Sequence, residues 1–505
     1  MVATYIRHGS VGPAPTRSAR VRLRGAGAVL ATLTIVGACT SATASPSSTG
    51  TPAPTPSPTA TPTYQPTASP TATPTATPTP KRSLGPSPRM TTAPEGFSVA
   101  MGNARLLAPA ADNGTLAGSE VNDFGLDLLR RFESSGNLCA SPTSIALALA
   151  MVRPGAKGAT ATEMDKVLHS FGSTSQGAEV VALMQALHNV NAYDDESWYA
   201  THPVATPDHS TMKPVDVLNV SNAVFSQQGM SLEAAYLNAL SSSFGAGVGL
   251  VDYKKNYEAA RLTIDKWASD ATKGRIPQIL QPGDVDSMTR IAIANAIYFK
   301  AGWLNRFDAA STKSLPFTRG DGSKVSVPTM AIDTEFGYTA GTGYRAIDLP
   351  FETSASMTVI VPDNMSSFVG GLTSAKLAGI ESAMGNYEVD LTLPRFSADK
   401  RVDVASILKA MGMTTAFNPD AADLSGITTD EQLYLDKVIH EANIDVNEDG
   451  ATASAVTVVS GRGGAGEPPP HVQFHINQPF LYFVRENSTG AILFMGRIDD
   501  PSAKN

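Results

Sequence analysis

At 505 residues, with 42% apolar and 17% charged side chains, the chain is long enough for two or three average domains and rich enough to bury a sizeable core. Its net charge of -8 argues against a nucleic-acid or anionic-membrane surface, which needs clustered Lys and Arg, so a protein or small-molecule partner is expected and no nucleic acid. Two cysteines, Cys39 and Cys139, cannot make a disulfide scaffold, and no C-x-x-C or mixed Cys/His spacing marks a zinc site.

The first readable element is an export signal. Arg17, Arg20, Arg22 and Arg24 give a basic start, and GAGAVLATLTIVGAC follows as an apolar stretch too short to span and stay as a membrane helix. Residues 1–39 are therefore read as a leader. Its last four residues, Val36-Gly37-Ala38-Cys39, resemble the lipobox of bacterial lipoproteins, which implies cleavage before Cys39 and a diacylglycerol on its sulfur. The alternative is an ordinary signal cut after a small residue, with an incidental cysteine. Lipidation would hold the protein outside the cell on the outer face of the cytoplasmic membrane, where two acyl chains make anchoring stable. The membrane is then met only through the lipid.

From Thr40 to Pro80 no residue is charged, and Thr, Pro, Ala and Ser recur without any apolar period. Such a stretch cannot form a core; repeated Pro favours polyproline II, a semi-rigid spacer rising about 3.1 Å per residue and reaching on the order of 100 Å. Residues 40–96 are read as a stalk and residues 97–505 as one large head.

Within the head, VNDFGLDLLRRF places apolar residues at 121, 124, 128 and 129, the spacing of an amphipathic surface helix. SPTSIALALAMV is apolar nearly all round and reads as a buried helix. Residues 188–215 are polar, broken by Pro and aperiodic, as a long surface insertion would be. Later segments, MTVIVPD, YEVDLTLPRF and FLYFVRENSTGAILFMGRI, are rich in β-branched and aromatic residues bounded by Pro, Gly, Asn or Asp. They read as strands, the last a hairpin turned at Asn487-Ser488-Thr489-Gly490. Helices early and strands late imply α+β with a mostly antiparallel sheet.

Several local motifs fail on context. Gly461, Gly463 and Gly466 have the G-x-G-x-x-G spacing of a dinucleotide loop, but Glu467-Pro468-Pro469-Pro470 follows and cannot start the helix that such a loop needs. Asp445, Asn447, Asp449 and Gly450 match the first half of a calcium loop, yet Val456 stands where the bidentate Glu is required. There is no G-x-S-x-G, H-E-x-x-H or G-x-x-x-x-G-K-[ST] motif, so an extracellular hydrolase has no positive support. No cofactor or metal is expected.

What stands out is Ala451 to Val459, ATASAVTVV. Its alternate residues, Ala451, Ala453, Ala455, Thr457 and Val459, are small at first and uncharged throughout, as a strand entering a preformed, tightly packed sheet would require. An ordinary edge strand carries Lys, Glu or Pro as protection against pairing. The Gly-Pro tract after it reads as exposed and cleavable.

With these residues goes a resemblance from about Val121 to Pro501. NLCASPTSIALALAMVRPGAKGAT, IDKWASDATKGRIPQIL, IAIANAIYFKAGWLNRF, LPRFSADKRVDVASILKAMGMTTAF, LDKVIHEANIDVNEDGATASA and INQPFLYFVRENSTGAILFMGRIDDP resemble, in order, blocks of the serpins, conformational inhibitors of serine proteases. The resemblance implies a bacterial-type, monomeric, non-enzymatic protein with helices around three mostly antiparallel sheets and an exposed reactive loop. A target serine protease attacks the loop and forms an acyl-enzyme; the freed loop then inserts as a new strand in the central sheet and distorts the protease before water can release it. Cysteine proteases, which also form acyl-enzymes, are not excluded.

Roles carry over where residues match. Ser141, Ser144, Asn295 and His440 correspond to the polar cluster beneath the sheet's opening, and Trp303 to the tryptophan near its upper end. Glu448, Asp449, Gly450, Ala451, Thr452, Ala453, Ser454 and Ala455 correspond to the hinge from which insertion starts, Ala451 replacing the usual Thr or Ser. Cys139 precedes the Ser-Pro motif and is expected to be an inert buried thiol. The family's hinge-to-bait spacing implies cleavage at Gly464-Ala465, while Arg462-Gly463 offers the loop's single cation to a trypsin-like pocket; both bonds stay open. A non-inhibitory serpin, acting as an extracellular binding or carrier module, is the alternative function.

Overall fold

A computed structural model of the chain describes residues 2–8, 98–107, 113–171, 176–190, 218–272, 274, 276–451 and 468–503. The expected leader from residue 9 onward with Cys39, the expected stalk, most of the expected insertion at 188–215, the expected hinge beyond Ala451 and both candidate bait bonds lie outside the described residues. No helix among the described residues is long and apolar enough to cross a membrane.

In chain order, β1 (Val2–His8) and β2 (Ser98–Ala100) precede α1 (Asn113–Leu129), β3 (Leu138–Ala140) and α2 (Pro142–Val152). Helices α3 (Gly158–Val167) and α4 (Gln176–Asn189) lead to β4 (Leu218–Gln227), α5 (Ala234–Phe244), β5 (Val248–Val251) and α6 (Tyr253–Ala271). Strands then dominate: β6 (Thr289–Phe299), β7 (Ala301–Gly302), β8 (Lys313–Thr318), β9 (Lys324–Gly341), β10 (Tyr344–Pro350) and β11 (Ala355–Pro362). After α7 (Met365–Gly370) and α8 (Ser374–Ser382) come β12 (Gly385–Pro394), β13 (Phe396–Asp403), α9 (Ala405–Met411), β14 (Leu433–Asn447) and β15 (Gly450–Ala451). Strands β16 (His471–His475), β17 (Phe480–Glu486) and β18 (Ile492–Ile498) follow.

The amphipathic and buried helices stand where the apolar spacing places them. Val121, Phe124, Leu128 and Leu129 of α1 are buried, and every residue of α2 is buried. Pro142 at the start of α2 loses no hydrogen bond there, and the Ser141 hydroxyl caps the helix by accepting from the Ser144 N–H. His188 lies inside α4, so the insertion begins later than the loss of apolar period implied: the helix runs to Asn189 before the polar stretch starts.

The central sheet has the strand order β2-β5-β4-β6-β1-β14-β15-β7, with β13 also paired to β14. One face packs on α2; the other carries a smaller cluster around Tyr253, Ile264 and Trp267 of α6, with Phe225 edge-on to Trp267 at 5.6 Å. Cover on both faces explains why β6 reads as a nearly continuous apolar run, IAIANAIYF, rather than alternating. The remaining strands form one network, β16-β12-β9-β10-β11-β17-β18-β3, with β8 on β9. The 18-residue β9 divides it: its first part pairs with β8 and β12 and its end with β10. The expected three sheets are thus one central sheet and two that share a long strand. The expected hairpin is β17 and β18.

Candidate functional site

The site is a seam in the central sheet between β6 and β14. Asn295 on β6 and His440 on β14 stand at the same level on opposite flanks, since both are opposite Val2 of the strand between them. Beneath that level lies the start of α2. The Ser141 N–H donates to His440 Nε2 at 3.0 Å, and the Ser144 hydroxyl donates to Asn295 Oδ1. The Asn295 amide in turn donates to Asn222 Oδ1 on β4. Ser141, Ser144, Asn295 and His440 are all fully buried. Four residues spread over 300 positions of sequence therefore meet in one network that ties both flanks of the seam to one helix terminus. Buried polar groups cost free energy unless paired, so the network favours one arrangement of the flanks.

At the upper end, β14 turns at Glu448 and Asp449 and comes back as β15, which pairs Ala451 with Val446 and Gly450 with Asn447. On its other side β15 pairs with β7, Gly450 opposite Gly302 and Ala451 opposite Ala301. Two residues of the expected hinge, Gly450 and Ala451, are thus paired in the sheet on both sides. Gly450 is the residue this needs: its φ is +142°, and a Cβ would lie 2.0 Å from the Ala301 carbonyl oxygen.

Trp303 clamps this turn. Its indole N–H donates to the Asn447 carbonyl at 2.9 Å and its backbone N–H to the Asp449 carbonyl at 3.0 Å. The ring stacks on Phe351 at 4.5 Å and 9° between planes. Glu448 points away from the seam to Arg395, whose Nε and Nη2 donate to Oε1 at 2.8 and 2.6 Å, and to the Thr312 hydroxyl. Burial pushes the Glu448 carboxyl up, but the Arg395 and Thr312 hydrogen bonds more than offset this and hold it below the ordinary carboxylate range.

Asp445 and Asn447 lie in the extended β14 and not in a curled ligand loop. Among the described residues no group of three His, Cys, Asp or Glu side chains is placed to hold a metal. Cys139 is buried in β3, and burial pushes its thiol up to about 12, so it carries no thiolate at neutral pH.

Sequence reasoning missed four partners and one element. Asn222, Arg395, Thr312 and Phe351 are reached only through tertiary packing, and nothing local marks them. The missed element is β1. It lies in the seam itself, antiparallel to both flanks, from Val2 opposite Asn295 and His440 to Arg7 opposite Thr289 and Tyr434. VATYIRH holds four β-branched or aromatic residues and no Gly or Pro, and that composition is the signal that could have found it.

A family model described as "Serpin (serine protease inhibitor)" matches residues 119–501. Among curated relatives, the leukocyte elastase inhibitor of Xenopus tropicalis is 31% identical over 396 residues, covering 76% of this chain and 99% of its own. Serpin B3 of Homo sapiens is 33% identical, covering 76% and 99%, and neuroserpin of Homo sapiens 30% identical, covering 79% and 95%. Of solved structures, native protease nexin-1 with heparin is similar at a TM-score of 0.63 and 27% identity, covering 77% of this chain and all of its own. The thermophilic serpin tengpin in its native state is similar in fold at 0.64 and 24%, covering 79% and 97%.

Proposed function

Because the chain belongs to the serpin family, we propose that it is a suicide-substrate inhibitor of serine endopeptidases that traps the acyl-enzyme by inserting its cleaved loop into the central sheet. The observation that carries this reading is the hinge. Gly450 and Ala451 are already paired as a strand between β14 and β7, and the seam below them accepts a strand antiparallel to both flanks, as β1 shows. A loop continuing in that register adds hydrogen bonds on two sides, and every inward position through Thr457 is Ala or Thr. A carrier that had lost the trap would tolerate bulky or charged residues there.

The target serine protease attacks at Gly464-Ala465 or at Arg462-Gly463. The first bond suits an enzyme that accepts small residues; the second suits a trypsin-like pocket and shortens the inserted arm by two residues, favouring escape. The chain acts as a monomer of bacterial type outside the cell, anchored by a lipid at Cys39 to the outer face of the cytoplasmic membrane. Ala453→Arg tests the trap: the loop should still be cut, but the variant should become a substrate, with the SDS-stable complex lost. Undiminished trapping by Ala453→Arg would sink the insertion reading.

A further inference from the structure

The strand β1 occupies ground that the insertion reading assigns to the loop. Continuing the antiparallel register set by Ala451 opposite Val446 would bring Thr457 opposite His440 and Gly464 opposite Leu433. The segment of β14 facing β1 is the same one, from His440 opposite Val2 to Leu433 opposite His8. Residues 452–456 could therefore enter above β1, while residues 457–464 and β1 need the same place.

We infer that Val2–His8 is a built-in strand ligand of the seam's lower half, which a cleaved loop must expel before insertion can finish. This rests on the insertion reading of the preceding subsection. Three features make the occupant specific. It is hydrogen-bonded on both sides, to β6 and to β14, so its departure uncovers two rows of backbone groups. It is composed for extended structure. At its end Arg7 forms ion pairs to both flanks, with Asp286 just before β6 at 2.9 Å and with Asp436 of β14 at 2.8 Å, a double contact that a neutral strand would not make.

The consequence is kinetic. Trapping is a race between insertion and hydrolysis of the acyl-enzyme, and expelling a bound strand slows the first runner, so the chain that carries β1 partitions toward substrate. If cleavage before Cys39 occurs as the leader implies, it removes Val2–His8 with the leader and arms the inhibitor.

The test uses the full chain, Ile6→Pro and Arg7→Glu. Proline removes an N–H from the middle of the doubly paired strand; the glutamate keeps every backbone group and turns two attractions into repulsions. Amide hydrogen exchange should show residues 2–8 protected in the full chain, and in Ile6→Pro roughly tenfold faster exchange at residues 2–8, 289–295 and 433–440. Arg7→Glu should fall between the two. After loop cleavage by subtilisin, the melting temperature should rise further in Ile6→Pro than in the full chain. A larger share of Ile6→Pro should end in SDS-stable complex, and excess synthetic peptide VATYIRH should return that share to the full-chain value. Exchange at residues 2–8 as fast as in the free peptide overturns the inference, as does an equal melting rise in both chains. If neither chain traps a protease but cleaved Ile6→Pro still gains the larger rise, the trapping reading fails and the strand-ligand inference stands.

Discussion

Asn295→Ala perturbs the seam at its most connected point. The substitution removes the acceptor of the Ser144 hydroxyl and the donor to Asn222 Oδ1. Ser144 is fully buried, so its stranded hydroxyl costs about 1–3 kcal/mol; Asn222 is only half-buried and water can reach it, so its share is nearer 1 kcal/mol. A total of about 2–4 kcal/mol, divided by a guanidinium slope on the order of 6 kcal/mol/M for a head of this size, lowers the unfolding midpoint by about 0.5 M. Tryptophan fluorescence reads the transition. Ser144→Ala and the double variant complete a cycle, in which the two substitutions should be non-additive by about 1 kcal/mol because they break the same bond. A midpoint shift below about 0.1 M, or strict additivity, would refute the claim that this network holds the flanks together.

Further outcomes follow from the hinge. Gly450→Ala puts a Cβ 2.0 Å from the Ala301 carbonyl oxygen at a φ of +142°, so β15 should leave the sheet; faster amide exchange at residues 301–302 and 446–451 is expected, and unchanged protection would contradict the register. Glu448 has a folded pKa held below its ordinary 4.5, so its stabilising contribution is present above that pH and lost as pH falls through the lower folded value. Glu448→Gln should flatten the pH dependence of stability below about pH 4.5 and cost about 1 kcal/mol at neutral pH, the modest figure reflecting the exposure of Arg395. An unchanged acid limb in the melting profile would show that the pair contributes nothing.

Much of the architecture was legible because its signals are local. SPTSIALALAMV declares a buried helix, and FLYFVRENSTGAILFMGRI declares a hairpin, through spacing and turn residues alone. Residues 451–459 stood out for the opposite reason, as a strand too bland for an edge, and the structure pairs the first of them, Ala451, in the sheet beside Gly450. The polar cluster was reachable only through resemblance: Ser141, Ser144, Asn295 and His440 carry no shared pattern, and only the register across the seam brings them to one level. Position in the chain hid β1. Residues 2–8 fall within the stretch read as a leader, and a strand whose partners lie nearly 300 and more than 400 residues away leaves no periodic trace nearby.

The central claim is that this chain traps a serine protease covalently. It is tested most directly by incubating the full chain and Ile6→Pro with a panel of serine proteases, trypsin-like and small-residue-cleaving, and boiling the products in SDS. The account predicts a band at the summed mass of inhibitor and protease, stronger for Ile6→Pro, with a released peptide whose N-terminus is Gly463 or Ala465. Cleaved inhibitor alone across the whole panel, in both chains, would contradict it.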